Sequence, residues 1–286
     1  MDRRNFMKLG AAATTLGPGV LKSQTPVPPL PAPGADGWVS LINGRDLKGW
    51  YTMLEKFGKN VAEGRKMVTF EQGMLHIMGS QVADDNVEPG YLATTQEFEN
   101  VHIRVEFKWG TRRFGARSAA KRDNGLLYGL VGEDVVWPRC IECQIEEGDV
   151  GDMIMVRGIR GVQGPNIAGV FGVGLDPDKG WSTPGPLGRA TYQPPANGVA
   201  ANNSIRLIKD GNFENLNDWN TVEVVWQGDR AAHIVNGRTV NVAYNLQQPD
   251  PNSPGQFIPL TRGKIALELE YAETWFRRVE VKSLIA

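Results

Sequence analysis

The chain has 286 residues, and its 31 Lys and Arg and 32 Asp and Glu give a formal net charge of −1. Acids and bases are interspersed, which argues against nucleic acid as a partner and favours a neutral or nearly neutral substrate. The two cysteines, Cys140 and Cys143, lie three positions apart in a predicted strand. Side chains at that spacing point to opposite faces, so we expect neither a disulfide nor a shared metal.

Residues 1–21 have the pattern of a twin-arginine export signal. Arg3 and Arg4 stand together, Phe6 and Lys8 follow, and a weakly apolar run rich in Ala, Gly and Thr comes next. This pattern predicts an exported protein of the periplasm or cell envelope. The apolar run is too short and too rich in Gly to be a stable membrane span.

Residues 22–36 are a proline-rich linker with no apolar periodicity, and such a segment cannot build a core. The remainder, residues 37–286, has a length that suits a single β-sandwich domain. Its predicted strands are short and separated by turn residues, and the dipeptide Asn236-Gly237 is the favoured type I′ hairpin turn. In chain order we predict strands at 38–41, 70–78, 90–94, 101–109, 125–131, 139–146, 153–158, 204–209, 220–227, 230–235, 238–244, 263–270 and 274–283.

Several of these strands alternate strictly between apolar and polar residues, and no long helical period occurs. We therefore expect an all-β fold, a two-sheet antiparallel β-sandwich with long irregular loops. Two such loops stand out, a Gly-, Pro- and Asn-rich run over 157–201 and a basic insertion over 110–124. Long loops in a compact domain are usually lids or binding loops, so they suggest a walled site.

The most informative strand carries a row of polar side chains. Glu142, Gln144 and Glu146 alternate with an apolar set, which is Ile141, Cys143 and Ile145. Because side chains of a strand alternate faces, the three polar groups share one side while the apolar set packs into a core. We interpret the row as part of a site, and a merely solvated sheet face stays open as the alternative.

Several segments together resemble the 3-keto-disaccharide hydrolase family, long known as a domain of unknown function. The resemblance covers nearly all of residues 37–286, and its motifs occur in the expected order. The segments that carry it are 38–50 (WVSLINGRDLKGW), 123–128 (DNGLLY), 141–152 (IECQIEEGDVGD), 218–221 with 235–237, and 263–273 with 276–277.

This resemblance implies a concanavalin-like jelly roll and a substrate whose sugar 3-hydroxyl has been oxidised to a ketone. It also implies a separate sugar 3-oxidoreductase upstream, and hydrolysis of the glycosidic bond, possibly by elimination and then hydration. One departure matters: Gly129 stands where the family pattern leads us to expect a His. If that His serves as base or ligand, its role has moved or been lost.

Such a reaction needs a base for the C2 hydrogen, an electrophile at the C3 oxygen and a proton donor to the leaving oxygen. We predict Glu142 and Glu146 as the acid and base and Arg104 as the cation that stabilises the oxyanion. Lys108 or Arg122 could take the place of Arg104. No metal site is predicted, although a divalent metal held by carboxylates with Asp123 or His102 stays open.

For substrate binding we predict amide and charged groups for the sugar hydroxyls and aromatic rings for the pyranose faces. Trp181 lies in the long Gly- and Pro-rich loop, and Glu270 could face the same site as Glu142. The complete set is Gln144, Asp123, Asn124, Lys108, Trp109, Tyr128, Trp181 and Glu270.

Two other functions stay open. The same sandwich often only binds sugars, which would make the chain a lectin-like module. A direct glycosidase on unoxidised glycans would use Glu142 and Glu146, yet Cα atoms four residues apart on a strand are separated by about 13 Å, whereas a retaining pair needs carboxyls about 5 Å apart. We expect the histidines His76 and His233 to lie on the surface.

Overall fold

The computed structural model describes residues 30–83, 87–164, 175–176, 180–181 and 204–284. The predicted export signal and most of the proline-rich linker therefore lie outside the described residues. Within those ranges no helix is long and apolar enough to cross a membrane.

The fold is all-β, as predicted. The strands in chain order are β1 (Val39–Ser40), β2 (Trp50–Leu54), β3 (Gly58–Lys59), β4 (Val68–Glu71), β5 (Met74–Ile77), β6 (Gly90–Phe98), β7 (Val101–Arg113), β8 (Asp123–Val131), β9 (Arg139–Glu146), β10 (Met153–Met155), β11 (Arg160–Gln163), β12 (Leu175–Asp176), β13 (Gly180–Trp181), β14 (Ile205–Leu207), β15 (Asn220–Gln227), β16 (Arg230–Val235), β17 (Arg238–Pro249), β18 (Phe257–Pro259), β19 (Gly263–Leu269) and β20 (Ala272–Ser283). One short 3₁₀ helix, Gly115–Arg117, follows β7.

Two antiparallel sheets contain nearly all of these strands. The ten-stranded sheet has the order β11-β17-β16-β15-β7-β20-β5-β4, with β1 added beside β20 and β18 beside β17. The eight-stranded sheet has the order β14-β10-β9-β8-β19-β6-β2-β3. Strands β12 and β13 pair only with each other, inside the long loop. The predicted two-sheet sandwich is therefore confirmed.

The main core lies between the two sheets and takes alternate residues from each. From β7 it buries Ile103, Val105 and Phe107, and from β9 it buries Ile141, Cys143 and Ile145. The alternation read from the sequence is thus the alternation of the fold, because one face of each strand packs inward. The polar side of β9 consequently points away from the core.

Two local differences from the predicted strands have clear physical causes. The stretch 70–78 is a hairpin of β4 and β5, since Gln72 and Gly73 have φ of 55° and 80° and form a tight turn. Strand β2 was not predicted, and it adds Trp50 to the core and Tyr51 to the opposite face. The hairpin at Asn236 and Gly237, with φ of 48° and 76°, is the predicted one.

Candidate active site

The outer face of the eight-stranded sheet carries a cluster of acids, and we call it the acid face. Strand β9 contributes Glu142 and Glu146, and β8 contributes Asp123, which pairs in register with Glu146. Glu270 follows β19 and forms a bridge to Asp123. Three neighbouring strands therefore bring carboxylates together that are far apart in the sequence.

Two of the acids converge over a glycine. If Gly125 carried a Cβ, this atom would lie 2.6 Å from Glu268 Oε2 and 2.9 Å from Glu142 Oε1. The two carboxylate oxygens are therefore at most about 5.5 Å apart. The missing side chain of Gly125 is what allows Glu268 of β19 and Glu142 of β9 to lean toward each other across β8.

The surroundings of Glu142 and Glu268 favour the protonated form of both carboxyls. Burial raises the pKa of Glu142 well above its ordinary value, and the charge of Glu270 adds to the rise. Burial also raises the pKa of Glu268, and the charge of Glu142 adds to it. Two close carboxylates that cannot both ionise can share one proton, which gives one acid and one base.

Two acid oxygens of this face are buried without a hydrogen-bond partner among the described residues. They are Glu268 Oε2 and Asp123 Oδ1. Burial, followed by the charge of Glu270, raises the pKa of Asp123 to about 10. Buried polar atoms are normally paired, so burial without a partner favours the protonated form of each of these carboxyls.

Arg117 is the central cation of the acid face. Its guanidinium forms ion pairs with Asp123, with Glu146 at 2.9 Å and with Glu270 at 2.9 Å. Burial lowers the pKa of Arg117, but the charges of Asp123 and Glu270 outweigh this and raise it. Arg117 thereby holds the 3₁₀ helix of the basic insertion onto the acids.

A second cation, Arg206 of β14, flanks the cluster on the other side. Its Nε lies 2.6 Å from Asp152 Oδ2, and its guanidinium also approaches Asp149 at 3.3 Å and Glu146 at 3.7 Å. The charge of Arg206 lowers the pKa of Glu142, although burial and Glu270 dominate there. The site therefore has a cation on each side of Glu146.

Four acids and one amide predicted from the sequence lie on the acid face. Gln144 accepts a hydrogen bond from the Ile145 amide through its side-chain oxygen and is nearly buried. Gly125 pairs with Gln144 in register, so this amide lies directly beside the carboxylate pair. The predicted residues that the fold brings together are Glu142, Glu146, Gln144, Asp123 and Glu270.

The three predicted cations do not pair with these acids, and Arg122 pairs instead with Glu147 at 2.5 Å. Arg104 lies on β7 of the ten-stranded sheet, where it forms an ion pair with Glu280 and stacks on Trp38. Lys108 lies on the same strand, 3.9 Å from Asp218. Strand β7 belongs to the other sheet, so the cations beside the carboxylates are Arg117 and Arg206 instead.

Three predicted sugar-binding residues face the core and not the acid face. Trp109 is buried and donates its Nε1 hydrogen to Glu214 at 2.9 Å. Tyr128 is fully buried, with its hydroxyl 3.0 Å from His233 Nε2. Asn124 has no exposed surface and accepts the Gly125 amide hydrogen. The side chain of Trp181 lies outside the described residues.

None of the three histidines lies on the acid face. His76 bridges Glu71 and Glu273 at 2.9 Å each, and His233 is fully buried and donates its Nδ1 hydrogen to Gly151 O, 3.1 Å away. The expectation that His76 and His233 lie on the surface is wrong: the stacked ring of Trp275 covers His76 on the outer face of its strand, and His233 faces the core beside Tyr128. His102 pairs with Glu223 on the ten-stranded sheet.

Gly129, where a His was expected, occupies an irregularity in strand pairing. Its φ is +59°, and the register of β8 shifts between Tyr128 and Val131. An added Cβ would lie 3.1 Å from Leu260, so a larger side chain would be strained there. The backbone at this position therefore does not suit the His that was expected.

Sequence reasoning missed three residues of the site, which are Glu268, Arg117 and Arg206. Glu268 alternates with Leu267 and Leu269 just as Glu142 alternates with its apolar neighbours, so the same pattern could have identified it. Arg117 lies in an insertion without periodicity, where only its positive charge beside an acidic sheet was a signal. The part of the chain that the structure describes holds no group of three or more His, Cys, Asp or Glu side chains arranged for a metal ion.

A separate cleft of about 330 Å³ lies where the N-terminal segment meets β2 and β6. Its lining includes Arg45, Lys48, Trp50 and Thr95, and no acid or His is among the lining residues. This cleft lacks the acid and base that bond cleavage requires. The acid face is therefore the candidate active site.

Comparison with solved structures gives similar folds at low sequence identity. A protein from Parabacteroides distasonis described as a "putative glycosyl hydrolase" is 16% identical, with a TM-score of 0.48 over 87% of this chain and 94% of that one. The carbohydrate-binding module CBM66 from Bacillus subtilis is 9% identical, with a TM-score of 0.44 over 82% of this chain and 96% of that one. A search of curated proteins finds no match.

A family model gives the stronger relation. The model of the 3-keto-alpha-glucoside-1,2-lyase-like domain matches residues 37–282, which is most of the chain and nearly the whole of the sandwich. This match bears out the resemblance read from the motifs. The chain belongs to the family of 3-keto-alpha-glucoside-1,2-lyase-like domains.

Proposed function

We propose that this protein cleaves the glycosidic bond of a 3-keto-glycoside by elimination across C1 and C2. The observation that carries the proposal is the pair of Glu142 and Glu268 over Gly125, two buried carboxyls whose raised pKa values let one hold a proton while the other is ionised. The family description names the same chemistry for the domain.

The ketone makes this chemistry accessible to two carboxyls. A carboxylate removes the C2 proton, and the electrons that remain are delocalised onto the C3 oxygen as an enolate. The enolate then expels the oxygen at C1, forming the C1–C2 double bond. The second carboxyl gives its proton to the leaving oxygen, so the products are an enone and a free alcohol. Hydration of the double bond would complete net hydrolysis.

The remaining polar groups support the charge that develops. A cation near the C3 oxygen stabilises the enolate, and Arg206 and Arg117 are the cations of the acid face. Arg206 is 35% exposed at its side chain, which leaves part of its guanidinium accessible to a ligand. Gln144 beside the pair offers a carboxamide to a sugar hydroxyl.

The distance between Glu142 and Glu268 is also compatible with a direct glycosidase, which is the alternative function. Retaining glycosidases hold their two carboxyls about 5 Å apart, and the bound of 5.5 Å on this pair is compatible with that spacing. A direct glycosidase would act on the unoxidised sugar, and it would need one carboxyl fully ionised as a nucleophile. Burial raises the pKa of both acids, which suits proton transfer better than nucleophilic attack.

One assay separates these functions. Purified protein is incubated with a 3-keto-glucoside and with the matching unoxidised glucoside, with and without a chelator, and release of the aglycone is followed. We expect release from the keto compound alone. Release from the unoxidised compound would identify a direct glycosidase, and release from neither, with sugar binding by calorimetry, would identify a lectin-like module.

A further inference from the structure

Arg206 of β14 and Glu142 of β9 lie in one row across the eight-stranded sheet. Ile154 of β10 is the register partner of both residues. Residues in register on neighbouring strands share a face, so all three side chains point to the outer side of the sheet. Arg206 therefore belongs to the same surface as the carboxylate pair, two strands away from Glu142.

The two cations of the acid face differ in how fully acids occupy their terminal nitrogens. Arg117 pairs through both Nη1 and Nη2, with three carboxylates in all. Arg206 binds its closest acid through Nε, and its Nη2 lies 3.3 Å from Asp149 and 3.7 Å from Glu146. Among the described residues, Arg206 Nη1 has no acceptor. Arg206 therefore keeps donors for an oxygen of the substrate.

The charge of Arg206 also acts on the carboxylate pair. Burial and then the charge of Glu270 raise the pKa of Glu142, and Arg206 opposes this rise more strongly than Arg117 does. The side chain of Arg206 is 35% exposed, compared with 25% for Arg117. A cation that is close to the reacting groups and accessible from the site can stabilise negative charge on a ketone oxygen.

Asp152 holds Arg206 in this place. The side chain of Asp152 is only 2% exposed, and its Oδ2 accepts the Arg206 Nε hydrogen at 2.6 Å. Its Oδ1 accepts the backbone N–H hydrogen of Lys209 at 2.9 Å, just after β14. One buried carboxylate thus fixes both the guanidinium and the segment that carries it. A contact through Nε leaves the terminal nitrogens of a guanidinium to other partners.

The turn that carries Asp152 is fixed from both sheets. The Gln144 amide donates to Asp152 O at 3.0 Å, and the Gly151 amide donates to Gln144 O at 2.9 Å. On the other side, His233 of the ten-stranded sheet donates its Nδ1 hydrogen to Gly151 O. Gly151 has a φ of +102°, and an added Cβ would lie 2.5 Å from Val240 Cγ2. Asp152 therefore has a fixed position relative to β9, as precise placement of a reactive group requires.

We propose that Asp152 is a positioning residue, which holds Arg206 where its guanidinium contacts the C3 oxygen of the substrate as the enolate forms. The proposal rests on the proposed function, because the enolate is the intermediate of that elimination. A carboxylate removes the C2 proton, the electron pair moves to the C3 oxygen, and Arg206 donates hydrogen bonds to the oxyanion without giving up a proton. Arg117 has a different task, which is to hold the acids and the basic insertion together.

The test measures kcat and KM for aglycone release from a 3-keto-glucoside by Asp152→Asn, Arg206→Gln and the double variant. An interaction made only as charge develops lowers kcat and leaves KM nearly unchanged. We expect kcat to fall about 10²-fold in Arg206→Gln and about tenfold in Asp152→Asn. Because Asp152 acts through Arg206, adding Asp152→Asn to Arg206→Gln should lower kcat by less than about threefold.

Two further variants separate positioning from folding. Glu97→Gln is the control, since it removes the acid that binds Arg262 Nε at 2.9 Å far from the acids, and its kcat should not change. If Asp152→Asn does not fold, Arg206→Lys gives the test. Lysine keeps the charge but has no Nε–H that can bind Asp152 while other donors reach the substrate, so we expect kcat to fall about tenfold. Circular dichroism gives the folded fraction that each kcat refers to.

Hydrogen exchange at C2 separates failure of this inference from failure of the proposed function. The probe is 3-keto-1,5-anhydroglucitol, which has no leaving group at C1, and deuterium uptake from D₂O is followed by NMR. We expect Arg206→Gln and Asp152→Asn to slow exchange as they slow release. Normal kcat and exchange in Asp152→Asn or in Arg206→Lys, or additive losses in the double variant, would overturn the positioning role while the proposed function stands. If the unchanged protein exchanges C2 hydrogen but releases no aglycone, elimination is wrong and exchange alone decides the role of Asp152. Neither exchange nor release would overturn both.

Discussion

The outer faces of the two sheets are both rich in charge, but they treat it in opposite ways. On the ten-stranded sheet, Arg104 lies in register between Glu223 and Glu280 and pairs with Glu280. On the acid face, Glu142 and Glu268 lie in adjacent rows of the sheet and lean toward each other over Gly125. Paired opposite charges stabilise a fold, whereas carboxylates held close together raise the pKa of one another, as is common at active sites.

The same contrast appears in the titration of the buried acids. Glu273 of the ten-stranded sheet is partly buried, which raises its pKa, but hydrogen bonds from the Arg112 and Thr111 amides and from His76 lower it overall. Burial and the neighbouring acids raise the pKa of Glu142, Glu268 and Asp123. The difference follows from the partners of each acid: Glu273 accepts several hydrogen bonds, whereas Glu142 and Glu268 face other carboxylates.

Replacing one acid on each sheet is the most direct test of the difference between the two faces. We expect Glu142→Gln and Glu268→Gln to lower the rate of aglycone release by about 10³-fold, the size of an acid or base contribution. Glu280→Gln, the control on the ten-stranded sheet, should change the rate by less than threefold. Rates are measured on a 3-keto-glucoside at saturation, with unfolding followed by circular dichroism. Full activity of both acid-face variants would place the reaction elsewhere.

Filling the gap between the paired acids should have the next largest effect. In Gly125→Ala the added methyl would meet Glu268 Oε2 and Glu142 Oε1, so we expect about a 10²-fold loss of rate. The backbone of Gly125 does not need positive φ, so the fold should tolerate the change. Gly64→Ala is the control, since its Cβ meets only Val61 O at 3.7 Å. An active Gly125→Ala protein would contradict a tightly packed pair.

Removing Arg117, the central cation of the acid face, should lower the free energy of unfolding more than removing Arg104 from the ten-stranded sheet. Arg117→Gln leaves Asp123, Glu146 and Glu270 without their guanidinium, and we expect a loss of about 3 kcal/mol in unfolding free energy at pH 8. Arg104→Gln should cost about 1 kcal/mol or less. Urea titrations measure both losses. A similar loss in the two variants would erase the distinction between the faces.

The smallest expected effect is on the pH dependence of stability. Because the folded-state pKa values of Glu142 and Glu268 are raised, folding takes up protons, and their stabilising contribution is present below the unfolded carboxyl pKa. It is lost as pH rises toward the folded-state values. Gln does not ionise, so Glu268→Gln does not lose stability in this way as pH rises. The free energy of unfolding of the variant should therefore gain about 1 kcal/mol relative to the parent protein between pH 5 and 8. A constant difference across that range would count against the raised pKa values.

The sequence predicted the sheet face of most acids but not the sheet of the cations. Alternation in β9 placed Glu142, Gln144 and Glu146 on one side, and this follows from the geometry of a strand. The alternation of β7 is equally strict, yet it cannot tell which sheet the strand joins, so Arg104 was assigned to the wrong face. Strand order depends on long-range packing, which a local pattern does not contain.

Loops and small residues were the other weak point of sequence reasoning. Arg117 reaches the acids from a 3₁₀ helix in an aperiodic insertion, so nothing local indicated its contacts. Tyr51 lies on β2, which was not predicted, and its hydroxyl donates to Asp134 in the loop after β8. Gly125 was read as an ordinary strand residue, because the role of an absent side chain depends on neighbours from two other strands.

That empty position divides defects of this site into two kinds. A carboxylate that has been cut away, as in Glu142→Gly, leaves a hole that a small acid such as formate can enter and partly replace. A methyl group at residue 125 fills space that both carboxylates use, and no added reagent can take it out again. Added formate should therefore restore turnover to Glu142→Gly and not to Gly125→Ala. This difference separates the loss of a carboxylate from the loss of the space that the carboxylates occupy.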